Sequence, residues 1–137
     1  MPADIDLTQL LRDTKTIAVV GASANPSRPS NEVYRYLAAT GDYTVYPVNP
    51  TIEDIDGVRV YPSLADLPVI PDLVDVFRRR EELPGVLAAV LALPQKPKTL
   101  WLQLGLRDEK VRRDAEAAGL SMVMDRCLKV DHRNLMR

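Results

Sequence analysis

Five short apolar stretches recur along this chain, and their spacing narrows its fold more than any other feature. They are Thr16-Ile17-Ala18-Val19-Val20, Tyr43-Thr44-Val45-Tyr46, Leu73-Val74-Asp75-Val76-Phe77, Thr99-Leu100-Trp101-Leu102-Gln103 and Ser121-Met122-Val123-Met124. Branched and aromatic residues dominate them, and most lack the strict alternation of a half-exposed strand, so they read as strands buried on both faces. Their starts lie about 25 residues apart, the length of one strand-helix unit with short loops.

Helix-like segments fill the gaps. Val33, Tyr34, Leu37 and Ala38 form a stripe after Ser30, a natural N-cap, and Gly41 closes it as a C-cap glycine does. Leu83, Val86, Leu87, Val90 and Leu91 make the strongest stripe, with Glu81 and Glu82 at its dipole-favoured start. Val111, Ala115 and Ala118 follow Asp108 and Glu109 and stop at Gly119. A weaker helix is expected at about residues 5–12, and another in the charged tail after Cys127. Such alternation implies parallel strands joined by right-handed crossovers. The expected architecture is α/β: a Rossmann-like doubly wound parallel sheet of about five strands in three α/β/α layers, with residues 1–137 as one domain. The Val48 to Asp72 connection departs from this pattern, holding Pro50, Pro62, Pro68 and Pro71, one helical turn at Ser63 to Asp66, and a possible extra strand at Val58 to Tyr61.

Composition removes whole classes of function. With 46% hydrophobic and 27% charged residues the chain lies in the globular range. Its 18 basic and 19 acidic residues leave a net charge of -1, so no global basic field draws it to nucleic acid and any anion site is local. Of the basic residues 13 are arginine, whose planar fork suits phosphate. A single cysteine, Cys127, excludes an intramolecular disulfide, and a single histidine, His132, excludes a His-rich metal site. No apolar run approaches the roughly 18 residues of a spanning helix and the start does not resemble a signal peptide, so the chain is expected in the cytoplasm, away from membranes.

In doubly wound sheets ligands bind beyond the carboxyl ends of the strands. The first such end, Gly21-Ala22-Ser23, leads through Arg28-Pro29 to a helix start, where small residues and free amides suit a phosphate, although the glycine fingerprint of dinucleotide folds is not met. An ordinary tight turn is the plainer alternative. The second end, Val48-Asn49-Pro50, carries no acid until Glu53, which argues against NAD without excluding NADP. After the third, Arg78 is the best-placed cation, and Arg79 and Arg80 read as solvated residues neutralised by Glu81 and Glu82. Asp75, inside an apolar strand, is expected to have a hydrogen-bonding partner. Cys127 reads as a packed thiol near the ligand edge, His132 as a surface residue, and Trp101, Met122 and Met124 as core.

Together, Ile17 to Ser23 with Arg28-Pro29-Ser30, Tyr46 to Pro50, Tyr61 to Leu64, Asp75 to Arg78, Trp101 to Gly105 and Met124 to Cys127 resemble the small stand-alone CoA-binding domain family. That family is similar to the N-terminal CoA-binding domain of the succinyl-CoA synthetase alpha subunit, and the resemblance covers roughly residues 5 to 133. It implies that Gly21, Ala22 and Ser23 hold the coenzyme A diphosphate with Arg28 close by. It further implies that Val48, Asn49 and Pro50 border the adenosine, that Phe77 and Arg78 line the next wall, and that Gln103, Leu104 and Gly105 face the pantetheine. The synthetase's phosphohistidine lies in a further domain, and no catalytic constellation is found here. The resemblance therefore implies a non-catalytic module for coenzyme A or an acyl-CoA. An NAD(P)-binding oxidoreductase or redox sensor on the same fold is the alternative, and a subunit acting through a protein partner is a third reading.

Overall fold

The computed structural model describes residues 5–136. Helix α1 (Leu7–Asp13) begins where the Asp6 carboxylate accepts the Gln9 N–H and leads into β1 (Thr16–Val20). Helix α2 (Pro29–Ala39) follows, then β2 (Thr44–Val48), a hairpin of β3 (Asp54–Ile55) and β4 (Val58–Arg59), β5 (Leu73–Val76) and α3 (Leu83–Leu91). Strand β6 (Thr99–Leu102), α4 (Glu109–Ala117), β7 (Ser121–Val123) and α5 (Leu128–Met136) complete the described residues. The anticipated helix boundaries shift by a residue or two. Ser30 lies inside the first turn of α2 and Arg28 holds the cap position, because Pro29 at the first helical position carries no N–H to satisfy and pre-sets the helical φ.

The large sheet is five-stranded in the order β2-β1-β5-β6-β7, and every pairing is parallel. Chain order across the principal strands is thus 2-1-3-4-5, the flavodoxin-like form of a doubly wound sheet, which switches direction between β1 and β5. One face buries Ala18, Val74, Leu100 and Met122 under Leu83, Leu87 and Val90 of α3 and Val111 and Ala115 of α4. The opposite face buries Ile17, Val19, Leu73 and Trp101 under Leu11 of α1, Val33 and Leu37 of α2 and Leu128 of α5. Double burial explains why β5 and β6 are apolar without alternation. Pro47 is tolerated because β2 is the outer strand, and its carbonyl accepts the Tyr61 N–H at 3.0 Å where a short parallel bridge covers that edge.

Two expectations are corrected. Asp75 is fully buried, and among the described residues neither of its carboxylate oxygens has a hydrogen-bonding partner. Its cross-strand neighbours are Val19 and Trp101, and the Trp101 Nε1–H donates instead to the Arg126 carbonyl at 2.8 Å. Burial therefore pushes the Asp75 carboxyl well above the usual carboxylate range. His132 is also fully buried. Its ring nitrogens lie 2.7 Å from the Tyr36 hydroxyl and 2.8 Å from Asp42, because α5 packs its inner face on the end of α2.

Candidate functional site

The exit of β1 depends on glycine at position 21. Gly21 has a φ of +87°, and a Cβ there would stand 2.1 Å from the Phe77 carbonyl oxygen and 3.2 Å from Arg78 Cδ. The loops leaving β1 and β5 are thus in backbone contact at the switch point. The Gly21 and Ala22 N–H groups donate to the Val48 carbonyl at 2.9 and 3.3 Å. Asn49 Nδ2 donates to the Ala22 carbonyl at 2.8 Å, and Asn31 Nδ2 donates to the Ser23 carbonyl at 2.7 Å. Two side-chain amides therefore take up the loop carbonyls. In α2 the Asn31 and Glu32 N–H groups both donate to the Arg28 carbonyl, and Pro29 has none. Among the described residues this leaves the Ser30 amide as the orphan donor of that helix end, a position suited to an anion.

Two clefts open here, of about 650 and 400 Å³, each within the usual size of a small-molecule site. The larger brings together Gly21, Ala22, Ser23, Arg28, Asn49, Phe77, Arg78, Gln103 and Leu104 of the anticipated residues. The smaller is lined by Val48 and Pro50, again with Gly21 and Arg78. Gly105 lines neither: its φ is +90° and its N–H donates to Asp125 at 2.7 Å, which shapes the loop after β6. Gln103 reaches the larger cleft, but its Oε1 is spent accepting the Leu128 N–H at the start of α5. Leu104, 70% exposed, is an apolar wall open to a ligand.

Sequence reasoning missed several wall residues. Glu32 and Val33 of α2, Leu106 and Arg79 line the larger cleft, while Cys127, expected near this edge, does reach it from the segment before α5. In the smaller cleft the missed face is Gly85, Val86 and Ala89 of α3 with Pro62, Ser63 and Leu64. Small residues spaced i, i+4 on α3 were the available signal, since a helix face that must leave room for a ligand carries Gly and Ala. Arg28, Arg78 and Arg79 supply the positive charge of the larger cleft. Its one acid, Glu32, lies 2.7 Å from Lys129, whose hydrogen bond and charge hold the carboxyl below its ordinary range. Among the described residues no group of three or more His, Cys, Asp or Glu could hold a metal ion, and no helix is long and apolar enough to cross a membrane.

A parallel sheet switching direction at a glycine loop, with helices on both faces and a cleft at the switch, defines a doubly wound α/β domain of the Rossmann-like class. More particularly, the chain belongs to the CoA binding domain family, whose pattern matches residues 15–133. YneT of Bacillus subtilis (strain 168) is 38% identical over 131 residues, covering 96% of this chain and 95% of YneT. The alpha subunit of ADP-forming acetate–CoA ligase II of Pyrococcus furiosus is 40% identical over 57 residues, which span 42% of this chain but only 12% of that subunit. A solved structure from Thermus thermophilus, cell-free ID.343, is 42% identical with a TM-score of 0.87, covering 95% of this chain and 96% of that one.

Proposed function

We propose that this chain binds coenzyme A, free or as an acyl-CoA, and works as a non-catalytic binding or regulatory module. The observation that carries the reading is the gathering, around the larger cleft, of the Gly21 loop, Ser30 with its unpaired amide, Arg28 and Arg78, with Gly21 and Arg78 also lining the smaller cleft. The diphosphate would lie along Gly21-Ala22-Ser23, where the Ser30 amide and the arginine forks meet a doubly charged group, the Gly21 and Ala22 amides being committed to the Val48 carbonyl. The adenosine would enter the smaller cleft between Val48, Pro50 and α3, whose apolar walls suit a base. The pantetheine arm would run along Phe77, Gln103 and Leu104 in the larger cleft. Asn49 positions the loop rather than reading a ribose: its Nδ2 is committed to Ala22 and its Oδ1 to the Thr51 N–H and hydroxyl, each at 2.8 Å. The lack of an acid at this strand end also disfavours NAD, whose ribose 2′-hydroxyl would ask for one.

Calorimetry at one fixed salt concentration with CoA, dephospho-CoA, NAD and NADP tests the assignment. CoA is expected to bind tightest, dephospho-CoA more weakly, and Arg78→Ala to weaken CoA by about tenfold or more, the weight of a charged hydrogen bond. NAD or NADP binding more tightly than CoA would overturn it in favour of the oxidoreductase reading.

A further inference from the structure

Resting on the coenzyme A reading, a second layer of control is visible at the junction of the two clefts. Arg78 is the guanidinium that borders both, while Arg28 and Arg79 border only the larger. Its stem packs on the phosphate loop, since a Cβ on Gly21 would touch Arg78 Cδ at 3.2 Å. Its head is held by Glu82, whose Oε1 accepts from Arg78 Nη2. The other carboxylate oxygen, Oε2, accepts from Arg79 Nε at 3.1 Å. One acid thus occupies two of the three arginines of the larger cleft.

Glu82 is not otherwise employed. It stands at the cap position of α3, yet its side chain makes no capping hydrogen bond. A 3-10 turn over Arg80–Glu82 runs directly into α3 and the Leu83 N–H already donates to the Arg80 carbonyl, so the carboxylate has no amide to cap there. It faces the smaller cleft and the arginines instead. Hydrogen bonding from Arg79, reinforced by the charge of Arg78, holds its carboxyl below the ordinary range, so it stays ionised at neutral pH.

We infer that Glu82 is an autoinhibitory latch: in the free protein it occupies Arg78, and a ligand gains that guanidinium only by drawing it off Glu82. Arg78, half-buried and anchored by its stem, needs only to swing its head. Arg79, 80% exposed, remains as the counter-ion of Glu82 after the exchange. A diphosphate offers two charges and a bidentate partner. The latch lowers the affinity of every ligand that uses Arg78 by the weight of the Arg78–Glu82 contact.

The test is a double-mutant cycle read by calorimetry with CoA on the full chain: wild type, Glu82→Gln, Arg78→Ala and the pair. Glu82→Gln is expected to tighten CoA by about two- to fivefold, the weight of one solvent-screened ion pair. That gain should vanish in the Arg78→Ala background, and inorganic phosphate should gain no more than CoA relative to wild type, because removing Glu82 returns at most the weight of the lost contact. Glu82→Ala provides the same comparison should the glutamine re-form the contact, and circular dichroism confirms that each variant is folded. A gain that survives without Arg78 overturns the latch, because general repulsion would then explain it. Unchanged or weaker binding in Glu82→Gln, with wild type binding normally, overturns the latch alone. Failure of wild type to bind CoA removes the coenzyme A reading and the latch with it.

Discussion

At the scale of single residues, the site is built on backbone constraints more than on side-chain chemistry. Gly21→Ala must bring a Cβ within 2.1 Å of the Phe77 carbonyl at a φ of +87°. The expected cost is about 2–4 kcal/mol, combining left-handed strain with overpacking, and urea unfolding would measure it. Asp75 makes a second residue-level prediction. The unfolded chain releases this proton near pH 4, whereas the folded protein, with the carboxyl raised by burial, retains it. The folded state then binds more protons, so stability is full below about pH 4 and falls as pH rises, by at most about 1.4 kcal/mol per unit, until the folded carboxyl ionises. Urea midpoints of wild type should decline between about pH 5 and pH 8 relative to Asp75→Asn; parallel curves would contradict this. Gly21 and Arg78 were legible in the sequence because strand ends point to ligands. The solitude of Asp75 was not, because its absent partner depends on where Trp101 sends its N–H.

At the scale of elements, the principal strands and helices were legible because each has its own period and stops. In the Val48 to Asp72 connection the strand at Val58 and the turn ending at Asp66 were legible and stand as β4 and a 3-10 turn at Leu64–Asp66, whereas β3 and the Tyr61 bridge, held by pairings too short to leave a pattern, were not. The tail helix α5 shows the larger gap. A sequence rich in Lys, Asp, His and Arg reads as solvated, yet α5 is fastened on several sides. Trp101 and Gln103 hold the segment leading into it, Arg126 pairs twice with Asp131, and His132 joins Tyr36 and Asp42. His132→Phe keeps the ring but deletes both hydrogen bonds. It is expected to cost about 1–2 kcal/mol and to raise amide hydrogen exchange selectively across α5. Uniform exchange along the chain would show that this cluster does not hold the helix. Since Cys127 leads α5 to the larger cleft, loosening should also weaken ligand binding.

For the whole molecule, near-neutral charge acquires a local meaning. The net charge of -1 conceals an arginine-rich mouth over which acids are deployed as partners, Glu32 for Lys129 and Glu82 for Arg78 and Arg79. The alternation of strands and helices announced a doubly wound sheet, but the 2-1-3-4-5 order was not readable, because pairing between β1 and β5 joins segments more than 50 residues apart and leaves no local signature. That order brings Gly21 to Phe77 and divides the ligand space into two clefts meeting at Arg78. The most direct test is a crystal structure of the full chain with coenzyme A. The account predicts the diphosphate at the Gly21-Ala22-Ser23 loop within hydrogen-bonding distance of the Ser30 amide, Arg78 turned from Glu82 to a phosphate oxygen, and the adenine in the cleft beside Pro50 and α3. Coenzyme A bound away from the β1 and β5 exits would contradict it.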